Sequence, residues 1–243
     1  MAAEVQYWAP LAWLGERGEK KGGDWAENVL MTVAADGTWH AITPGTARID
    51  APGATVLAGP VLPGVVNAHS HAFQRAIAGL TETSGGQDDD FWSWRDRMYR
   101  AALRITPEQL QAIATQLYTE LLQGGYTQVC EFHYLHNDTD GQPYADPLEL
   151  SMALVRAAQA TGMGLTLLPT LYMRSGFGVD GLRDDQRRFA GTPDSVLRIA
   201  QAVNALALPN INAGIALHSL RAVDPGALAE AAQIGRASCR ERV

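Results

Sequence analysis

The stretch that decides the fold is "VLPGVVNAHSHAFQRA", residues 61–76, in which an apolar run ends in His69 and His71. Residues two apart on a strand point to one face, so both imidazoles are expected to face the same way. Each imidazole carries polar nitrogens that need partners, and packing one beside the other does not supply them. A divalent metal would satisfy both, whereas an exposed histidine pair at the start of a loop is the alternative. The pair alone leaves both interpretations open.

The composition excludes several classes of protein. The chain has 243 residues, of which 47% are hydrophobic and 19% charged, as in ordinary globular proteins. A net charge of -7 argues against a nucleic-acid partner, which calls for a basic surface. No apolar run approaches the roughly 18 residues of a membrane helix, and the N-terminus lacks the pattern of a signal peptide. Two cysteines cannot form a disulfide framework, which suits a reducing compartment. Together these features lead us to expect a cytoplasmic protein without a membrane partner.

The last nine residues, "GRASCRERV", differ from the sequence before them. They contain three arginines and one glutamate, and no capping signal separates them from the helix-like stretch that they follow. They resemble translated vector or adaptor sequence. We therefore expect residues 235–243 to be a non-native tail that does not contribute to the fold.

The chain changes its pattern near residue 61. Residues 1–60 contain short apolar runs and turns, with Asp36 and Gly37 at a strong hairpin signal. This pattern predicts a small β-rich region. Residues 61–234 instead alternate apolar strand-like segments with helical segments.

Four strand-like segments mark this second region, each trailed by polar or helical sequence. The segment between the first two predicts a helix, with Thr106 as N-cap, Pro107 at the first position and Gln109 completing a capping box. Gly124 and Gly125 are expected to end it. The four segments are "GVVNAHSH", "YTQVCEFHY", "GLTLLPTLYM" and "NAGIALHSL".

Continuously apolar strands that alternate with helices predict a parallel sheet covered on both faces. A doubly wound sheet and a TIM barrel both fit this description. Polar side chains at the ends of four consecutive strands are typical of a barrel active site, and no glycine-rich phosphate loop follows any strand. The α/β fold expected for residues 61–234 is therefore the first four βα units of a TIM barrel. The residues at the strand ends are His69 and His71; Glu131, His133 and Tyr134; Tyr172 and Arg174; His218 and Arg221.

A first barrel strand that ends in His-x-His, after a short β-rich region, resembles the amidohydrolase superfamily. The histidine pair alone is weak evidence for a particular family, whereas five sequence blocks in the same order are specific evidence. These blocks resemble the formimidoylglutamate deiminase family of bacterial histidine degradation. The resemblance covers about residues 25–234. The blocks are "PGVVNAHSHAFQRAIAGL", "FWSWRDRMYR", "EFHYLHND", "GLTLLPTLY" and "LHSLRAV".

The resemblance implies one zinc ion per chain, with His69 and His71 as two of its ligands. The other two ligands of the family, and its general acid and base, follow the fourth βα unit and have no counterpart here. The chain therefore resembles the N-terminal half of an enzyme, and we expect it to be inactive alone. Members of the family are often dimers, so a homodimer is a possible assembly.

The substrate implied by the resemblance is N-formimino-L-glutamate, a small dianionic amino-acid derivative. Two carboxylates call for arginine, whose planar guanidinium binds a carboxylate through two hydrogen bonds. The family pattern assigns carboxylate binding to Arg95, expected in a loop above the site, and to Arg221. It assigns Gln74, Tyr134 and His218 as further substrate contacts, which would supply neutral donors.

Structural roles are the alternatives for these residues. His218 could be a hydrogen-bonded core histidine, Tyr134 could pack by its ring alone, and the two arginines could lie on a solvated surface. Strand alternation separates neighbours on the second strand. We place Phe132 and Tyr134 toward the site and give His133 a structural role.

The implied reaction is hydrolysis to N-formyl-L-glutamate and ammonia. Zinc lowers the pKa of a bound water from 15.7 to about 7, which makes a nucleophile available at neutral pH. A carboxylate then passes the proton of the water to the departing nitrogen. Two other hypotheses remain: an amidohydrolase deaminase acting on a nucleobase or triazine, whose flat neutral ring needs no arginine pair, and a non-catalytic metal-binding relative.

Overall fold

The computed structural model describes residues 4–15, 23–81 and 91–240. The chain divides into two compact units, residues 1–64 and residues 65–243. The first unit contains a sheet in the order β3-β2-β1-β4, antiparallel except for the parallel pair β1-β4. Its strands are β1 (Val5–Leu14), β2 (Asp24–Val33), β3 (Trp39–Thr43) and β4 (Thr55–Val56).

The hairpin predicted at Asp36 and Gly37 is present between β2 and β3. Asp36 accepts hydrogen bonds from the backbone N–H of Thr38 at 2.9 Å and from its hydroxyl at 2.6 Å. Gly37 has a φ of 86°, a conformation that glycine adopts without strain. On the sheet, Val29 and Met31 are buried two residues apart, as alternation requires.

The second unit is built on a parallel sheet in the order β5-β6-β7-β8, with β9 also pairing with β7. Strand β7 is largely buried on both faces, as the continuous apolar pattern predicted, whereas β6 buries one face and leaves the other partly exposed. The strands are β5 (Val65–Ser70), β6 (Tyr126–His133), β7 (Gly164–Leu171), β8 (Ile211–Ala213) and β9 (Ala216–Leu217). The helices are α1 (Phe91–Ala102), α2 (Pro107–Gln123), α3 (Glu149–Thr161), α4 (Pro193–Ala205) and α5 (Pro225–Arg240).

The fourth strand is broken, although the sequence predicted one continuous segment. Leu165 donates its N–H to Asn210, and Leu167 accepts from the N–H of Gly214, so these residues of β7 face the fourth strand. Pro169 is the next residue of β7 in this series. Because proline has no N–H, the ladder loses a hydrogen bond at this point, and β8 ends before β9 begins.

Helix α2 begins and ends where the sequence predicted. The Thr106 hydroxyl accepts from the backbone N–H of Gln109 at 3.2 Å, and the Gln109 amide oxygen accepts from the backbone of Thr106 at 3.1 Å. Gly124 is the C-cap. One face of the helix buries Leu110 and Tyr118, which are eight residues apart.

The segment that carries Arg95 is a helix, and its expected description as a loop was wrong. Helix α1 packs Trp94 against the core and buries Met98, Tyr99 and Ala102. From Trp94 to Ala102 these four residues are four, one and three positions apart, so they lie on one face of the helix. In the part of the chain that the structure describes, no helix combines the length and apolarity needed to cross a bilayer.

Candidate functional site

His69 and His71 lie at the carboxyl end of β5 and face each other. Their Nε2 atoms are 2.9 Å apart, and their ring centroids are separated by 4.6 Å. The pair arises because the two residues flank Ser70, the last residue of the strand, and so point to the same side.

The imidazole of His71 is held in one tautomer. Its Nδ1 lies 3.0 Å from the carbonyl oxygen of Phe132, and since a carbonyl only accepts, Nδ1 carries the proton. The Nε2 lone pair is therefore free to bind a cation. Metal-binding histidines are commonly fixed in this way. Burial lowers the pKa of His71 by more than the hydrogen bond to the Phe132 carbonyl raises it, and the neighbouring imidazole of His69 adds to the lowering.

These two residues fit a zinc ion. Imidazole nitrogens bind zinc at about 2.0–2.1 Å, so a single ion can contact two nitrogens that approach this closely. In residues 4–15, 23–81 and 91–240, no group of three or more histidine, cysteine, aspartate or glutamate side chains is arranged to hold a metal. The described residues thus supply two ligands.

Aromatic side chains from β6 form one wall of the site. The Phe132 ring lies 5.2 Å from the ring of His69, and the Tyr134 ring lies 5.3 Å from that of His71. The Tyr134 hydroxyl accepts a hydrogen bond from the amide of Gln74 at 3.1 Å. Phe132 and Tyr134 therefore lie on the histidine side of the sheet, as strand alternation implies.

His133 lies on the other face of β6. It is buried, with its ring 5.4 Å from that of His136. His136 in turn has its Nε2 at 3.0 Å from the carbonyl oxygen of Thr170. Both rings are separated from His71 by the sheet, which fits the structural role expected for His133.

His218 is stacked on an aromatic ring beside the histidine pair. The ring of Tyr172 lies 4.1 Å away at an angle of 16°, and the Tyr134 ring lies 5.4 Å away. Burial, reinforced by the positive charge of Arg221, lowers the pKa of His218 to about 4. His218 is therefore a neutral imidazole at pH 7.

The stacking partner of His218 is itself fixed by hydrogen bonds. The Tyr172 hydroxyl accepts from the amide of Gln186 at 2.8 Å and lies 3.3 Å from the Tyr99 hydroxyl. Gln186 is 1% exposed and also donates to Tyr99 at 3.2 Å. The Gln186 amide oxygen also accepts from the backbone N–H of Arg183 at 3.0 Å, but its two tyrosine partners are 14 and 87 residues away in the sequence.

The two arginines singled out in the sequence lie around this cluster. The guanidinium carbon of Arg95 is 5.5 Å from the centroid of the Tyr99 ring, and its Nη2 is 3.4 Å from a carboxylate oxygen of Asp96. Arg221 acts electrostatically on both His218 and Tyr172. The Arg95 side chain is 15% exposed, which is low for a surface arginine.

A third arginine, which the sequence did not assign to the site, supports the loop that carries Arg221. Arg174 donates through Nε to the carbonyl of Arg221 at 3.0 Å and through Nη2 to the carbonyl of Leu220 at 3.4 Å. The backbone N–H of Arg174 also donates to Ala222 at 3.1 Å. Its position at a strand end was visible in the sequence, but its partners were not.

Buried neutral histidines predict that acid destabilises the protein. Burial lowers the pKa of His133, His136 and His218, whereas an unfolded histidine titrates near pH 6.5. The unfolded state then binds more protons, so the free energy of unfolding falls as the pH drops from about 6.5 toward 4. Glu131 opposes this in part, because burial raises its pKa to about 7 and its protonation favours the folded state below that pH.

Urea denaturation of the full-length protein that carries this sequence, at pH 7 and pH 5 with metal chelated, measures the effect. We expect a lower free energy of unfolding at pH 5 and a smaller difference in His218→Gln. A free energy that rises between pH 7 and pH 5 would contradict the prediction.

Several known proteins resemble this chain in sequence. The model of the Amidohydrolase family matches residues 61–240. The chain is 50% identical over 206 residues to the formimidoylglutamate deiminase of Pseudomonas aeruginosa, covering 84% of this chain and 45% of that protein. It is 35% identical over 78 residues to the 8-oxoguanine deaminase of the same organism, covering 31% of this chain and 16% of that protein.

A solved structure confirms the fold class. The amidohydrolase from Brucella melitensis matches with a TM-score of 0.84 and 41% identity, over 95% of this chain and 49% of that chain. The chain thus spans about half the length of this protein and of the Pseudomonas deiminase. The match includes the N-terminal β-sheet region and the parallel sheet with its helices. The chain belongs to the amidohydrolase family, as its five sequence blocks predicted.

Proposed function

We propose that the protein carrying this sequence is a zinc-dependent hydrolase that converts N-formimino-L-glutamate to N-formyl-L-glutamate and ammonia. The main support is the grouping of a facing histidine pair with neutral hydrogen-bond donors and two arginines at one end of the sheet. The similarity to a protein named formimidoylglutamate deiminase supports the same substrate. The partner in this proposal is a small dianion, and the compartment is the cytoplasm.

In this proposal His69 and His71 hold the zinc. When bound, zinc acts as a Lewis acid that makes water a nucleophile at neutral pH. His71 is prepared for this role because its Nδ1 proton is held by the Phe132 carbonyl, which leaves Nε2 to the metal. The Phe132 and Tyr134 rings exclude water from one side of the pair.

The remaining residues orient the substrate. Gln74 and Tyr134 are hydrogen-bonded to each other at 3.1 Å and present an amide and a phenol to the polar head of the substrate. His218 is neutral and fixed by its stack on Tyr172, so it can donate or accept without adding charge. The proton released by water must pass to the departing nitrogen through a general acid and base that we place outside the described residues.

The full-length protein that carries this sequence, loaded with zinc, should be assayed for ammonia release from N-formimino-L-glutamate. Parallel assays with 8-oxoguanine, guanine and a chloro-substituted triazine test the alternative deaminase hypothesis. We expect turnover of N-formimino-L-glutamate and none of the ring substrates. Turnover of a ring substrate alone contradicts the proposal, and tight zinc binding without any turnover favours a non-catalytic relative.

Arg95→Gln and Arg221→Gln each test carboxylate binding. Loss of one charge-assisted pair should cost about 2–3 kcal/mol, which corresponds to a roughly 30- to 150-fold fall in kcat/KM. The fall should be smaller for an analogue without the matching carboxylate, because that analogue has no partner to lose. Equal falls on both substrates indicate a structural role instead. Arg198→Gln is the matched control, since this arginine is 74% exposed on α4.

A further inference from the structure

A buried carboxylate lies directly behind the histidine pair. Glu131 of β6 is 2% exposed and pairs with Ser70 in the β5-β6 ladder. Its Oε1 accepts a hydrogen bond from the backbone N–H of Ala72 at 2.6 Å. The Tyr118 hydroxyl donates to its Oε2 at 3.4 Å, and the Ser70 hydroxyl also donates to it.

The identity of these partners is unusual for a buried carboxylate. They are one backbone amide and two hydroxyls, and none of them carries a positive charge. Removing a carboxylate from water is costly unless its oxygens are well paired. A residue of this type at this place therefore calls for a role beyond packing.

The geometry indicates what Glu131 does. Ala72 follows His71 directly, so the bond at 2.6 Å fixes the backbone at the point where β5 ends and the chain turns. The next residue of β6, Phe132, holds the ring of His71 through its carbonyl at 3.0 Å. Two consecutive residues of one strand thus hold this turn, Glu131 at the N–H of Ala72 and Phe132 at the imidazole of His71.

We propose that Glu131 is a positioning residue for His71, which sets the turn after β5 and so holds the imidazole against His69 for zinc. The inference rests on the metal part of the proposed function and not on its substrate. Partners that orient metal ligands typically change metal affinity by 10- to 100-fold when they are removed.

Two substitutions, made in the full-length protein that carries this sequence, separate the hydrogen-bond acceptor of Glu131 from its charge. Glu131→Leu removes the acceptor for the Ala72 N–H at similar volume, whereas Glu131→Gln keeps an oxygen in the same place. We expect the zinc dissociation constant, measured by competition with a chromophoric chelator, to rise roughly 10- to 100-fold in Glu131→Leu. In Glu131→Gln the constant should stay within about threefold of the unsubstituted protein, because the oxygen acceptor is retained.

Leu165→Ala is the matched control for general destabilisation. Leu165 is fully buried in β7, where it pairs with Val129 of β6 and Ile211 of β8. This variant should lower the melting temperature without changing zinc affinity. The absorption spectrum of cobalt(II)-substituted protein gives a second readout, which should change in Glu131→Leu and not in Leu165→Ala.

Unchanged zinc affinity in Glu131→Leu overturns the inference, and so do equal losses in Glu131→Leu and Glu131→Gln. Should Glu131→Leu fail to fold, Glu131→Asp serves instead, because the shorter side chain cannot reach Ala72 without a backbone shift. Its zinc affinity should fall, and an unchanged value overturns the inference. Protein that binds zinc but releases no ammonia contradicts the proposed substrate. The zinc dissociation constants of the Glu131 variants still test the inference in that case, because they do not depend on turnover.

Discussion

Replacing both His69 and His71 by alanine is expected to remove the zinc and nearly all ammonia release from the protein that carries this sequence. The two Nε2 atoms are 2.9 Å apart, so the double variant removes two adjacent ligands. Alanine offers no donor, and the described residues hold no third histidine, cysteine or carboxylate grouped with the pair. Metal analysis after dialysis, together with an ammonia assay, measures both losses.

His40→Ala is the control for this prediction. His40 lies in the first unit, and its side chain is 61% exposed, so its loss should change neither zinc content nor turnover. The pH at which zinc is lost gives a further check, since protonation of the imidazoles competes with the metal. One tightly bound zinc per chain in the double variant would show that the ligand assignment is wrong.

Local signals made much of the fold predictable. The capping box of α2 involves only Thr106 and Gln109, and the hairpin turn only Asp36 to Thr38, so both could be read from neighbouring residues. The break between β8 and β9 could not. It depends on Pro169, which belongs to β7. The missing N–H of this proline matters only when β7 pairs with β8 and β9.

The description of the Arg95 segment as a loop failed for a different reason. Its tryptophans and arginines hide the helical period, which becomes clear only when Met98, Tyr99 and Ala102 are seen to be buried together. Tertiary packing here decides a conformation that the local sequence leaves ambiguous. A count of apolar residues at helical spacing along the segment is a sequence signal that could have found it.

In the candidate site, too, some features could be predicted from the local sequence and others could not. The approach of His69 to His71, and the side of the sheet taken by Phe132 and Tyr134, follow from strand alternation alone. The residues that hold these groups act across long stretches of chain. Glu131 bonds to a residue 59 positions away, and Arg174 supports one 47 positions away. Such supports have no sequence period and appear only in the folded structure.

Expressed alone, the 243-residue chain is expected to aggregate or to form a loosely packed state. Within the described residues β5 pairs only with β6, and its Val65 and Val66 are 51% and 53% exposed. A strand edge with apolar side chains pairs readily with other chains. The same chain spans about half the length of the amidohydrolases that it matches, and barrel closure, which removes such edges, takes eight strands.

The isolated chain should also release ammonia from N-formimino-L-glutamate no faster than buffer does. Two imidazole ligands bind zinc far more weakly than the three or four protein ligands of usual zinc sites, and the described residues supply only these two. Size-exclusion chromatography, a thermal melt and an ammonia assay on the same preparation test both halves of the prediction. A monomer with a sharp thermal transition and measurable turnover would contradict it, and would mean that catalytic groups within residues 65–240 have been assigned wrongly.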